Sequence, residues 1–278
     1  IYIFKLANEI LDNSLLSLIS VLMLESIYFY NFTTPEFNVN VCQLPFWSIS
    51  VYYSWKIYNQ KQINVKDCIL LGFFGAVGFL SKYLFAYLLF SVFLLFLYLI
   101  FYKKLKKFDF KYLISIEVFL VLLVPHFIWL NNNEYITIIY GLKRSGLEQS
   151  DILDHIKFPI IFLLKQIGLL IPFFVLLKLL VKKFKFRLNF KDKKLLFLIF
   201  VSIIPMILIL LTSIITASKI RTMWMTPFYL SFGILFIHIF KSQIDLKNIK
   251  PFLYGFIFLF FLSPILYSYV SINQTDKR

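Results

Sequence analysis

Charge, cysteine and histidine are all scarce in this chain: 15% of its 278 residues are charged, two are cysteine and three are histidine. Cys42 and Cys68, read as the two ends of one predicted helix, form no ligand-spacing pattern, so neither a disulfide nor a metal site follows from them. Glycine-rich nucleotide loops, metal-binding helix motifs and nucleophile elbows are missing, which argues against a nucleotide-sugar donor. The formal charge of +15 comes with neither a folded basic domain nor a basic tail, and this argues against nucleic acid as a partner. Ile1 is preceded by no methionine or signal pattern, so the opening residues read as the tail of something earlier and the chain as a fragment.

What the chain has in excess is apolar surface. Hydrophobic residues make up 60% and aromatic residues 20%, with a mean hydropathy of +0.81, more than a soluble domain of this length can bury. The expected class is all-α, a polytopic helical membrane protein forming one transmembrane domain over residues 1–278. Its basic residues fall in four groups: Lys56, Lys61 and Lys66; Lys103, Lys104, Lys106, Lys107 and Lys111; Lys182, Lys183, Lys185, Arg187, Lys191, Lys193 and Lys194; Lys241, Lys247 and Lys250. All four should face the cytoplasm. The apolar runs between them then give about nine membrane segments: Leu15 to Phe32, Phe37 to Trp55, Cys68 to Leu80, Tyr83 to Tyr102, Tyr112 to Leu130, Phe158 to Val181, Leu195 to Thr216, Met225 to Phe240 and Phe252 to Ser271. An outer loop covers 131–157, in which Ser150 is a plausible cap and Asp151 and Asp154 occupy a first helical turn.

Lys82 stands inside the longest apolar run, Ile69 to Tyr102. Lys66 and Lys103 flank it on the same side, so it must cross an even number of times. A single helix would measure about 50 Å against a hydrocarbon core of about 30 Å. The expected form is a short hairpin with "SKY" at its apex and Gly72, Gly75 and Gly78 providing a close-packing face. Lys82 either snorkels to the headgroups or lines an outward cavity where its ammonium meets an anion. Other outer turns bring Glu36, Asn38 and Asn40; His126, Trp129 and Glu134; Tyr140, Lys143 and Arg144; and Lys219, Arg221 and Trp224. Each also has a plainer reading: Trp129 and Trp224 as interfacial belt residues, His126 as an internal hydrogen-bond donor, Glu36 as a cap for the helix after Pro35. Within the spans, Glu25, Glu117 and Lys165 need partners or water; depth counting puts Glu25 and Lys165 at similar levels, which permits a pair without requiring it, and Glu117 closer to the cytoplasm.

The segments "YNFTTPEFNVNVCQLPFWSISVYYSW", "LLGFFGAVGFLSKYLFAYLLF", "LLVPHFIWLNNNEYITIIYGLKRSG", "FLLKQIGLLIPFFVLL" and "RTMWMTPFYLSFG" occur in that order, and over nearly the whole chain they resemble bacterial members of glycosyltransferase family 39. These are relatives of the dolichyl-phosphate-mannose–protein mannosyltransferases, with the GT-C membrane fold. The resemblance implies the C-terminal part of a longer GT-C enzyme of the bacterial plasma membrane. Such an enzyme moves a sugar from a polyprenyl-phosphate carrier to an acceptor (glycolipid, polysaccharide or protein) on the extracytoplasmic side.

It further implies that the catalytic base lies upstream of Ile1, with Glu36 in a secondary role and Lys82 gripping the carrier phosphate. Tyr83, Asn38, His126, Trp129, Tyr140, Arg144, Arg221 and Trp224 are the implied substrate contacts. Partners are the polyprenyl-phosphate-linked sugar donor, membrane lipids and an unspecified acceptor; no particular cofactor is implied, a divalent metal being the one candidate. The rival classes are a transporter or lipid flippase and a noncatalytic membrane subunit. A transporter would show paired broken helices in its two halves, and the sequence offers one break, at Ser81 and Lys82.

Overall fold

The computed structural model describes residues 1–33, 36–104, 107–146, 151–181, 183–186, 188–246 and 249–273. Lys106, Lys182, Arg187 and Lys247 of the basic groups, Pro35 and the expected cap Ser150 lie outside the described residues. The chain is helical, and its one β-type pairing among the described residues is an isolated antiparallel bridge between Val181 and Ile244.

Two short helices open it, α1 (Tyr2–Leu11) and α2 (Ser14–Leu22), separated by Asp12 in the left-handed region and by Asn13, whose side chain accepts from the Leu16 N–H at 2.9 Å. The expected span from Leu15 to Phe32 is not one helix. After Leu22 it tightens into 3-10 turns at Met23–Ser26 and Tyr28–Tyr30, with the Ser26 hydroxyl donating to the Met23 carbonyl at 2.5 Å. Then follow α3 (Val39–Asn59) and α4 (Val65–Ser81). Beyond the break at Lys82, a 3-10 turn at Tyr83–Phe85, α5 (Ala86–Leu97) and a π turn at Tyr98–Tyr102 make one rod of 20 residues.

The rest comprises α6 (Lys111–Asn132), α7 (Ile136–Arg144) and α8 (Asp154–Leu180), then α9 (Lys193–Ser202) and α10 (Ile204–Thr216). A 3-10 stretch, Thr222–Tyr229, leads into α11 (Phe232–Phe240), and α12 (Lys250–Ile272) closes the chain. Among the described residues, five rods are long and apolar enough to cross a membrane, six if the bent pair around Leu230 and Ser231 counts as one. The count of nine is not reached on length and composition: α4 has 17 residues, α2 has nine, and α3 carries Asn40, Gln43, Lys56 and Asn59.

Cys42 sits near the start of α3 and Cys68 near the start of α4, so they are on two helices rather than at the ends of one; both are free thiols. Nor do Glu25 and Lys165 pair. Lys165 is exposed on α8 beside the buried stripe Phe162, Gln166, Leu170 and Phe173, while Glu25 is half-buried in the Met23–Ser26 turn. Counting depth fixes the level of a residue but not the rotation of its helix.

The buried core runs through α1, α2, α3, α5, α8, α9 and α11, with Trp47, Trp55, Phe173, Phe197 and Phe240 sealed from solvent. α6 and α12 stand at the margin. Apolar residues such as Val121, Ile128, Phe258 and Phe261 are exposed there, as expected where the solvent is lipid.

One end of the bundle collects the basic groups. Lys194 pairs with Asp12 at 2.5 Å, Tyr58 donates to the Lys193 carbonyl at 2.8 Å, the Lys111 ammonium reaches the Ile63 carbonyl at 3.4 Å, and the Lys241 ammonium donates to the Leu11 carbonyl. At this end Asp192 caps α9 and meets His238 Nε2 at 2.6 Å. Burial raises the Asp192 carboxyl, but hydrogen bonds from His238 and from the Lys194 and Leu195 N–H groups outweigh it and hold the group below its ordinary value. A carboxyl depressed by folding contributes stability that is present above its unfolded pKa and lost as pH falls through its folded one. Thermal stability in detergent should therefore fall on acidification through the carboxylate range, and less steeply in Asp192→Asn; equal slopes would refute this.

Candidate functional site

At the other end, the chain turns back at Lys82 and the two arms touch through side chains. A Cβ on Gly75 would meet the Leu89 side chain at 3.3 Å, and one on Gly78 would meet the Phe85 ring at 2.4 Å. Phe96 packs on the cluster containing Cys68 and Leu71. Residue numbers rise along one arm as they fall along the other, so α4 and α5 run antiparallel about Lys82. Gly72 faces α6 instead, where an added Cβ would lie 2.5 Å from the Ser115 carbonyl oxygen. α4 ends with the Ser81 hydroxyl donating to the Gly78 carbonyl at 2.6 Å, Lys82 is extended, and its carbonyl accepts from the Phe85 N–H at 3.0 Å.

From this apex the Lys82 side chain does not run free to the surface. Its ammonium donates to the Asn40 side-chain oxygen and lies 5.2 Å from the centre of the Trp224 ring. Asn40 comes from the first turn of α3, set by Asn38, whose side-chain oxygen accepts from the N–H groups of Asn40 and Val41 at 2.9 and 3.4 Å. Trp224 is delivered by the Thr222–Tyr229 stretch. Burial, and after it the Arg144 guanidinium, brings the Lys82 ammonium down from the ordinary lysine value to about 7. A half-buried cation faced by neutral dipoles keeps an unneutralised charge.

Next to it, the Tyr83 hydroxyl joins two further elements, meeting His126 Nε2 of α6 at 2.8 Å and the Thr137 hydroxyl of α7 at 2.7 Å. His126 stacks on Trp129, centroids 5.9 Å apart. On α7 the Arg144 guanidinium donates to the Tyr140 hydroxyl and covers its ring at 5.6 Å. The Ser145 carbonyl then accepts from the Lys219 N–H at 2.9 Å, tying this helix end to the chain before Trp224.

Of the sequence-derived candidates, the structure gathers Lys82, Tyr83, His126, Trp129 and Trp224, with Arg144 close enough to act on the Lys82 charge. Asn38, not Glu36, caps α3; the Glu36 side chain is exposed and forms no ion pair among the described residues. Arg221 is exposed, and Tyr140 is taken up by Arg144. Asn40, read from the sequence as an outer polar group but not as a substrate contact, and Thr137 join the site. Their sequence signal is weak, because an asparagine in a first turn reads as capping and a threonine in an apolar helix as filler. Among the described residues, no group of three or more His, Cys, Asp or Glu side chains comes together to hold a metal.

Below Tyr83 and His126 opens an apolar groove of about 560 Å³ between α4, α5 and α6, lined by Leu71, Phe79, Ala86, Leu89, Phe93 and Phe127 among others. Its upper end touches the site, since the Phe79 ring lies 5.2 Å from that of Tyr83. Phe90, Phe93 and Leu120 are exposed along it, so it is open sideways.

No curated protein and no solved structure matches the chain. The resemblance read along nearly all of the sequence is carried in the comparisons by its first part. Residues 1–129 match the family model described as dolichyl-phosphate-mannose-protein mannosyltransferase, so the segment that supplies the hairpin, Asn40, Lys82, Tyr83 and His126 is similar to that glycosyltransferase family.

Proposed function

We propose that the protein is a membrane glycosyltransferase that moves a sugar from a polyprenyl-phosphate carrier to an acceptor at the extracytoplasmic face, the face opposite its basic end. The observation that carries this reading is the adjacency of Lys82, a half-buried cation with no carboxylate partner among the described residues, to an apolar groove open to lipid. A polyprenyl phosphate is an anion on a long apolar chain, and the two features fit its two parts. In the transfer, the acceptor oxygen forms a bond to the anomeric carbon as the bond from that carbon to the phosphate oxygen breaks. The acceptor proton leaves to a base outside the residues assigned here, and the electron pair stays on the departing phosphate. Lys82, with Arg144 beside it, meets that growing charge in a site of low dielectric, where fixed cations act most strongly. Trp224, His126 and Trp129 supply flat faces of the kind sugars and carrier lipids pack against. Glu36, Asn38, Tyr140 and Arg221 form the outer approach.

Filling the groove tests this. In lipid the carrier chain gains no hydrophobic energy by entering a groove, so the groove acts through packing and orientation. Ala86→Trp places an indole where the chain would run, on an exposed position that needs no repacking of the core. The apparent KM for a long-chain polyprenyl-phosphate sugar should rise about tenfold, since one lost set of packing contacts is worth ~1.4 kcal/mol, and rise less for a short-chain analogue. Equal kinetics for both donors would refute the groove as the chain's seat.

A transporter is favoured by one observation that the sequence did not offer. The Thr222–Tyr229 stretch and the helix after it meet at 54°, a second break in the latter half of the chain, placed by Pro227 and the non-helical Ser231. Movement of a polyprenyl phosphate between leaflets in the absence of sugar transfer would decide for that class.

A further inference from the structure

We infer that Asn40 is a positioning residue for the phosphate grip: its neutral amide holds the Lys82 ammonium in place while leaving the positive charge free for an incoming phosphate. This rests on the reading of Lys82 as the group that meets the carrier, and it adds why position 40 must be polar and uncharged.

The geometry supplies the argument. Asn40 is 3% exposed, and its backbone is fixed by the Asn38 cap, so its side chain is a rigid acceptor and not a surface group that happens to reach. The second partner of the ammonium, the Trp224 ring, is neutral too. The charged and titratable groups on the surrounding elements do not cancel the charge. Arg144 of α7 is a like charge, and Arg221 stands exposed ahead of Trp224. His126 of α6 is engaged by Tyr83, and Glu36, before α3, is exposed and makes no ion pair with Lys82. An ammonium desolvated against dipoles alone is costly, and an anion placed beside it recovers that cost. A carboxylate at position 40 would recover it permanently and would compete with the phosphate; a neutral amide orients the cation without doing so.

The test is binding of a polyprenyl monophosphate to the protein in nanodiscs, followed by native mass spectrometry across neutral pH. Wild-type affinity should fall as pH rises through about 7, where Lys82 loses its proton. The probe's own second ionisation, near pH 6, is common to every variant. Asn40→Asp should shift that fall to higher pH, because an adjacent carboxylate favours the charged ammonium, and should weaken binding below the step by about tenfold. Asn40→Gln keeps a neutral acceptor and should keep the wild-type step. A wild-type affinity indifferent to pH would overturn the inference, as would an Asn40→Asp protein that binds like wild type. Lys82→Ala separates the two levels: if it binds as well as wild type, the reading of Lys82 itself falls. If it loses binding while Asn40→Asp behaves as wild type, Lys82 stands and only the role of Asn40 is lost.

Discussion

Lys82→Ala should lower sugar transfer by about a hundredfold or more while the protein still inserts and folds. The size follows from what the side chain is asked to do. Removing a preorganised donor from a site where charge develops costs about 10²–10³ in rate, and Lys82 brings a full charge into a partly desolvated position. Insertion is spared because the hairpin does not depend on the ammonium: its arms are held by Gly75 against Leu89, by Gly78 against Phe85 and by Phe96 on the Cys68 cluster. Removing a half-buried cation also relieves a desolvation cost, so thermal stability should hold or rise. Transfer assayed with a polyprenyl-phosphate sugar in membranes, alongside the amount of inserted protein, separates the two effects. Unchanged transfer would remove Lys82 from the mechanism. Lys82→Arg should recover only part of the loss, since a planar guanidinium cannot take the place of a compact ammonium between an amide oxygen and an indole face.

The hairpin was legible because a lysine in an apolar run of more than thirty residues conflicts with two lengths at once, that of the bilayer and that of a helix. The sidedness of the basic groups was legible for a similar reason, as each apolar run exchanges one end of the bundle for the other. Hydropathy did not reveal where apolar runs break. Leu15 to Phe32 and Met225 to Phe240 are apolar enough to read as spans, yet one tightens into 3-10 turns after Leu22 and the other bends at Leu230 and Ser231. The site was legible in its charged and aromatic members, which stand out against apolar neighbours. Asn40 was legible only as an outer polar group, for its contact with Lys82 spans 42 residues and belongs to no pattern of spacing. Thr137, whose partner Tyr83 is 54 residues away, was not legible. Such contacts are made by the packing of α3, α7 and the hairpin apex, and a sequence records them only through the residues that set that packing.

Gly233→Ala should destabilise the fold by about 3 kcal/mol, at the upper end of what overpacking a core usually costs. A Cβ at this position would lie 1.8 Å from the Ser20 carbonyl oxygen and 2.8 Å from its carbonyl carbon. The obstacle is backbone, so no rotamer change removes it; α11 and α2 must move apart. They cannot do so cheaply, because Ile19 on one side and Phe232, Ile234, Leu235 and Ile237 on the other are buried in the same core. Gly168→Ala provides the control. It is also helical, in α8, but an added Cβ would meet nothing within 4 Å, so the better helix propensity of alanine should leave stability unchanged or raise it by up to about 1 kcal/mol. The effect should reach the site as well. α11 continues the stretch that carries Trp224, so pushing α11 off α2 moves the ring that faces Lys82. In the fraction of Gly233→Ala protein that folds, binding of a polyprenyl monophosphate should weaken, whereas Gly168→Ala should bind as wild type. Two variants of equal stability would show that α2 and α11 can separate freely, and the close contact at Ser20 would then not be what fixes the position of Trp224.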